Sequence, residues 1–320
     1  MAINEDKTEL TDNLIKFLRS YYKNQKIKFK EPPTRFGQGQ TTKIYKFQLS
    51  DIPELPSPLV LRLFKETTQG SSEISAYREG TIQNILNRND YPAPKAHIIY
   101  KDNKPLGGPF IIMDYINGKP MLEVTPAEEI PELLANAHCK LHQINPSFLI
   151  ENLKKNNIDK KWYDGTVFID TMIIQNKIDW LIPAVNWIKD NEPKDRAGVI
   201  CHGDFHPLNI LVDQGEIVAV LDWTAARIGE PERDIASTKN ILSVFGVLFL
   251  NVDWKRVSNE YFRSYKRKYS FDSDKEEYYE AVHCINMLEA LEVGFLNEIP
   301  GIREQFLRRF TEISDLTLNR

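Results

Sequence analysis

The sequence predicts an α+β protein in two lobes: a small N-terminal lobe built on a sheet, residues 1–118, and a larger, mainly helical C-terminal lobe, residues 119–320. Three observations predict it. The chain has 320 residues, room for about two domains at roughly 150 residues each. Between residues 43 and 115, short apolar runs alternate with turn signals, as strands do. Beyond Asn117-Gly118-Lys119-Pro120, a linker by composition, apolar residues recur mainly at helical spacing.

The elements follow in order. Leu10, Leu14, Phe17, Leu18 and Tyr21 share one face of a helix over 7–23, and Pro32 and Pro33 then end it. Phe36-Gly37-Gln38-Gly39-Gln40-Thr41-Thr42 leads into the alternating run 43–49, a strand. A turn with Pro53, Pro56 and Pro58 opens a second strand over 59–64. Ile74, Tyr77, Ile82, Ile85 and Leu86 give a helix over 72–88 its apolar face. Strands near 95–100 and 109–115 turn at Gly107-Gly108. Helices are expected at 126–143, 178–190, 233–249, 255–269, 275–297 and 302–317. A hairpin interrupts them, with strands 209–212 and 217–221 joined by Asp213-Gln214-Gly215.

Composition excludes several classes. Forty-two per cent hydrophobic and 27% charged residues make a sizeable core and rule out disorder. Forty-one Lys+Arg against 45 Asp+Glu leave a net charge of −4, which gives no basis for binding nucleic acid through phosphate neutralisation. The charge is uneven: residues 1–118 carry 17 basic and 13 acidic side chains, and the remainder 24 and 32. Cys139, Cys201 and Cys284 form no CxxC or disulfide framework, which fits a reducing cytosol. The first ten residues lack the apolar core of a signal peptide, and Val244–Val252 is far short of a membrane span. A cytoplasmic protein without a membrane partner is expected.

The densest polar constellation is Cys201-His202-Gly203-Asp204-Phe205-His206-Pro207-Leu208-Asn209, followed by Asp222-Trp223. His-x-Asp, four residues, then Asn is the catalytic-loop spacing of protein kinases, with glycine in place of arginine. The hairpin brings Asn209 and Asp222 onto adjacent strands near one edge, two oxygen donors of the kind Mg²⁺ takes along with phosphates and water. Asp204, on the preceding loop, is then available to accept a proton from an attacking hydroxyl. Phosphoryl transfer needs in-line positioning, charge neutralisation and such a carboxylate.

HGDFHPLNILV, the following LDW and Gly229-Glu230-Pro231-Glu232-Arg233-Asp234-Ile235-Ala236 resemble the aminoglycoside phosphotransferase family of protein-kinase-like small-molecule kinases, from about Phe36 to about Ala236. Leu141-His142-Gln143-Ile144 is similar to its helix-terminal LH pattern. The resemblance implies a two-lobed kinase-like fold with the nucleotide between the lobes, 1–118 being the nucleotide-binding lobe and 119–320 the catalytic and acceptor-binding lobe. It implies a catalytic base at Asp204, Mg²⁺ ligands at Asn209 and Asp222, and a structural role for Asp234 in holding the catalytic loop's backbone. ATP or GTP would meet Gly37, Gly39 and Thr41 through small or polar contacts. Arg62, paired with Glu79, would hold its phosphates, with Lys65 as the alternative if the strand register differs. Met113 to Ile116, with Met113 and Tyr115, resembles the hinge that meets the base edge. Enzymes of this kind phosphorylate aminoglycosides, macrolides, sugars and amino alcohols, and the fold does not choose among them. The basic surplus of residues 1–118 suits a polyanionic nucleotide, and the acidic surplus beyond leans towards an amine-bearing hydroxyl compound.

Other readings stand beside these. His202, Asp204 and His206 would face one way on a straight strand and could bind Zn²⁺ or Fe²⁺ as in a hydrolase, but Pro207 argues for a loop, with His202 packing it. His138 and His142 lie four apart on one helix face without the glutamate of H-E-x-x-H, so a core or surface role is expected. Cys201 reads as a small buried residue. Trp223 either stacks on a substrate or closes a pocket wall. Glu289 and Glu292, beside Met287, Leu288 and Leu291, read as a solvated helix face. A non-catalytic nucleotide sensor is the rival from another class. A serine hydrolase, a P-loop enzyme and a Rossmann dehydrogenase lack their motifs here.

Overall fold

The computed structural model describes residues 2–38, 42–65, 72–160, 163, 173, 176–193, 198–249, 251–270, 272–294 and 299–320. Its elements begin with α1 (Ala2–Tyr21), β1 (Lys28–Gln38), β2 (Thr42–Ser50), β3 (Leu59–Phe64), α2 (Ser72–Arg88), β4 (Ala96–Tyr100) and β5 (Phe110–Asp114). Short β6 (Lys119–Pro120) and α3 (Met121–Val124) lead to α4 (Ile130–His142), α5 (Ser147–Lys155) and α6 (Ile182–Asp190). Then come β7 (Val199–Cys201), β8 (Ile210–Asp213), β9 (Glu216–Val220) and β10 (Arg227–Gly229). Four helices finish the chain: α7 (Pro231–Leu248), α8 (Trp254–Lys268), α9 (Ser273–Glu292) and α10 (Ile302–Ser314).

The chain groups into two compact units. The first holds Met1–Gly118 with Phe148–Ile158 and Val218–Thr224; the second holds Lys119–Ser147, Asp159–Ile217 and Ala225–Arg320. The first is organised by an antiparallel sheet of order β1-β2-β3-β5-β4. Side chains alternate across a strand, and β3 is buried throughout. Its Leu59, Leu61 and Leu63 join Leu10, Leu14 and Leu18 of α1 in one core. Val60 and Phe64 join Ala76 of α2 in another. The two helices therefore cover opposite faces of the sheet. Pro32 and Pro33 do not end α1, which stops at Tyr21, but lie inside β1. A proline cannot donate to the ladder, and β1 is an edge strand whose register shifts between Glu31 and Thr34, across these residues.

In the second unit, β7 pairs with β10, and β6 with β8. The expected hairpin is β8–β9, turning at Gln214 and Gly215 with φ of 50° and 83°; β9 carries the chain from one unit to the other. Helices α6, α7, α9 and α10 share a core that includes Val185, Ala236, Ile285, Leu288 and Phe310. Asp253 and Asp272 cap α8 and α9, accepting from backbone N–H groups of Arg256, and of Asp274 and Lys275. Strands β7 and β10, of three residues each, are too short to give a sequence signal. Among the described residues, no helix is long and apolar enough to cross a membrane.

Candidate active site

The HGD loop leaves β7 and turns at Gly203, whose φ is +80°. A Cβ there would meet the Ala225 carbonyl oxygen at 2.7 Å, so no side chain fits; this is the physical reason for glycine between His202 and Asp204. Beyond Asp204 the chain makes a short helical turn over Pro207–Asn209, closed by Asn209 N–H donating to His206 O at 2.9 Å. Proline suits the first position of that turn, where an N–H has no partner within the turn.

Asp234, in the first turn of α7, fastens the loop from beneath. Its Oδ2 accepts from His202 N–H at 2.6 Å and its Oδ1 from Gly203 N–H at 2.7 Å. His138 and His142 of α4 point Nε2 at the same Oδ2, at 2.8 and 3.2 Å. Their Nδ1 atoms face the Tyr261 and Tyr265 hydroxyls of α8, at 2.7 and 2.6 Å. Burial pushes His138 down to about 4, so its imidazole is neutral, with Nε2–H donating to the carboxylate and Nδ1 accepting from tyrosine. Burial alone would raise Asp234, but His138 and His142 offset it and hold the carboxyl well below the usual range. Among the described residues, His138, His142 and Asp234 are the one His/Cys/Asp/Glu group close enough to share an ion. The donors already aimed at Asp234 make the group a hydrogen-bonded hub, as a core role for the two histidines requires. The HxDxH residues do not form such a group; His202 is fully buried, its Nδ1 accepting from Asp204 N–H at 3.2 Å.

Asp204 is part-exposed. Asn209 Nδ2 donates to its Oδ2 and to its backbone carbonyl, each at 3.0 Å. His206 Nε2 lies 3.3 Å from its Oδ1, a neighbour that the sequence offered only as a transition-metal ligand. The Asn209 nitrogen thus faces Asp204, and it also lies 3.1 Å from His206 Nε2.

The first unit holds a second cluster. Arg62 projects from β3 on the α2 face and lies 3.3 Å from Glu79 Oε1 and 2.9 Å from Asp222 Oδ1. Burial alone would lower Arg62, but Glu79 and Asp222 raise it. Burial pushes Glu79 up to about 7 against the pull of Arg62. Among the described residues, Arg62 Nε and both Glu79 oxygens make no hydrogen bond, and Glu79 Oε1 is held by its ion pair with Arg62. Asp222 sits at φ +61°, a strained conformation common at functional sites. Thr224 Oγ1 donates to its Oδ1 at 2.5 Å, and buried Arg78 of α2 donates to the Thr224 carbonyl. Arg78 was missed in the sequence because its role shows only once α2 packs beside the Asp222 turn. Lys65, three residues from Arg62, is exposed and lies with Leu63 on the α1 face, so it does not join the cluster.

The remaining site residues fall as follows. Met113 ends buried in β5, with Gln83 Nε2 3.7 Å from its Sδ. Tyr115 stacks edge-on with Phe36 at 5.8 Å, and Lys46 Nζ lies 3.7 Å above its ring. Gly37 lies in β1, while Gly39 and Thr41 lie outside the described residues. Trp223 is fully buried, donating to Val220 O at 2.9 Å, so it packs the interior and stacks on no substrate. Glu289 and Glu292 are not a solvated face. Glu289 is buried and accepts from Asn176 Nδ2 at 2.8 Å, and Glu292 pairs with Arg303 and Arg320. Their partners, Asn176 for Glu289 and Arg303 and Arg320 for Glu292, are invisible in the local sequence. Cys201 is buried as expected.

Asn209 and Asp222 each carry an oxygen donor of the kind that Mg²⁺ takes. The Phosphotransferase enzyme family model matches residues 33–266, well over half of the chain. Acyl-CoA dehydrogenase family member 10 of Mus musculus is 26% identical over 220 residues, 63% of this chain and 20% of that protein. The chain thus spans about a fifth of the length of such curated relatives. The aminoglycoside phosphotransferase APH(4)-Ia, solved with AMP-PNP and hygromycin B, aligns with a TM-score of 0.58 and 16% identity over 95% of this chain and 98% of that one. Ethanolamine kinase of Plasmodium vivax aligns with a TM-score of 0.59 and 16% identity over 94% and 86%. These likenesses show the fold, a small sheet lobe and a larger helical one as in protein kinases. With the family model spanning the HGD loop, Asn209, Asp222 and Asp234, the chain belongs to the Phosphotransferase enzyme family.

Proposed function

We propose that this chain transfers the γ-phosphoryl group of ATP or GTP to a hydroxyl of a small molecule, with Mg²⁺. The observation that carries the reading is Asp204, a part-exposed carboxylate on a loop whose backbone Asp234 holds by two N–H bonds. Asp204 would accept the hydroxyl proton as the acceptor oxygen bonds to the γ-phosphorus and the bridging oxygen leaves with the nucleoside diphosphate. Asn209 and His206 orient that carboxylate. Arg62 would bind the phosphates, held by Glu79. Met113 and Tyr115 at the end of β5, with Gly37, Gly39 and Thr41, would line the nucleotide. Asn209 and Asp222 would hold Mg²⁺, whose charge would offset that of the phosphates. Nucleotide use is supported by the AMP-PNP complex of the structural relative.

The acceptor class we favour is an amine-bearing hydroxyl compound. Relatives of this fold include an ethanolamine kinase and an enzyme solved with hygromycin B, and residues 119–320 carry the acidic surplus. A screen of hydroxylated amines, antibiotics, sugars and hydroxy acids for ADP or GDP release, run with each nucleotide, tests it. General-base assistance is typically worth about 10²–10⁴-fold, so Asp204→Ala should lose turnover on that scale and still bind nucleotide. Near-full turnover in that variant would remove Asp204 from the role.

A further inference from the structure

A cleft of about 630 Å³ lies in the first unit, lined by α1, β2, the end of β3 and the loop between β4 and β5. It sits on the α1 face of the sheet, away from Arg62. Lys43 pairs across the ladder with Leu63, whose side chain belongs to the α1 core, while Arg62, one residue earlier, faces the other way with Val60 and Phe64. Three lysines converge on this cleft from three separate elements: Lys43 of β2, Lys65 just beyond β3 and Lys104 of the β4–β5 loop. Among the described lining residues Glu9 is the one acid. Tyr45, Leu10, Leu63 and Leu106 supply an apolar floor, and Asn13 and Asn103 supply amides.

Three lysines lining one concavity give it a positive potential that draws in anions. The volume lies in the range of small-molecule sites, which pair apolar walls with a few convergent polar groups. We propose that this cleft is a binding site for a small polyanion, an organic phosphate or polycarboxylate, distinct from the nucleotide site. Lysine suits such a ligand as a mobile point charge that adapts to differently spaced anionic groups. Part of the basic surplus of residues 1–118 therefore serves a site other than the nucleotide's.

Pyrophosphate and citrate separate the two anion sources. Each is titrated calorimetrically at 0.15 M salt into full-length protein saturated with AMP-PNP, so that the nucleotide site is closed to the probe. The comparison protein carries Lys43→Gln, Lys65→Gln and Lys104→Gln; a Lys101→Gln variant, at an exposed lysine outside the cleft lining, controls for net charge. The expected result is one saturable equivalent for pyrophosphate, citrate or both, weakened at least tenfold in the triple variant and unchanged in Lys101→Gln. No saturable binding of either probe up to 10 mM, or equal binding by the triple variant, overturns the proposal. Circular dichroism and nucleotide binding of the triple variant establish that it is folded, so a loss of anion binding reports on the cleft.

Discussion

Gly203 and Asp234 show how single residues set the candidate base. The loop must turn left-handed at 203, and any Cβ would press on the Ala225 carbonyl. Gly203→Ala should cost about 1–3 kcal/mol, the scale of such backbone strain, read as a lower urea midpoint, with reduced turnover because Asp204 moves with the loop. An unchanged midpoint and rate would show that the turn tolerates a side chain. The motif spacing made Asp204, Asn209, Asp222 and Asp234 legible before any fold was known. The Asp234 partners were not: His138 and His142 lie far upstream in sequence, and Tyr261 and Tyr265 downstream. Only packing of α4 and α8 around α7 brings four rings and one carboxylate together.

At the scale of elements, strand parity decides the chemistry of β3. Arg62 and Lys65 are three residues apart, so the pleat sends them to opposite faces, one to Glu79 and Asp222, the other to the lysine-lined cleft. The α1 helix covers the latter face through Leu10, Leu14 and Leu18. Leu14 is fully buried, and Leu14→Ala should destabilise by about 2–5 kcal/mol, measured by chemical denaturation. A cost below 1 kcal/mol, on the order of a surface change, would mean that α1 does not anchor the sheet. The periodicity of α1 and the alternation of β2 and β3 were readable because each buries one face. The prolines in β1 were misread as a stop, since a tolerant edge strand announces itself only when its neighbours are known.

Across the whole molecule, buried neutral histidines make stability depend on pH. Burial lowers both His138 and His283 to about 4 from an ordinary 6.5. Between pH 6.5 and 4 the unfolded chain binds protons that the folded chain refuses, so stability falls as pH falls through that window. It is regained above pH 6.5. Each group contributes at most about 1.4 kcal/mol per pH unit. Denaturation midpoints should hold near pH 7–8 and drop by pH 5; a flat profile would mean that neither imidazole is buried in its neutral form.

The sequence by itself determined the fold class, most element positions and the family, and it nominated Asp204, Asn209 and Asp222, because these rest on local periodicity and on fixed motif spacing. Tertiary structure decided which face each basic residue of β3 serves, that Trp223 and Glu289 are interior, that Arg78 braces the Asp222 turn and that His206 flanks Asp204. Those facts depend on which distant elements pack together. Burial and hydrogen-bond partnership are properties of that packing, and a single chain segment carries no record of its neighbours.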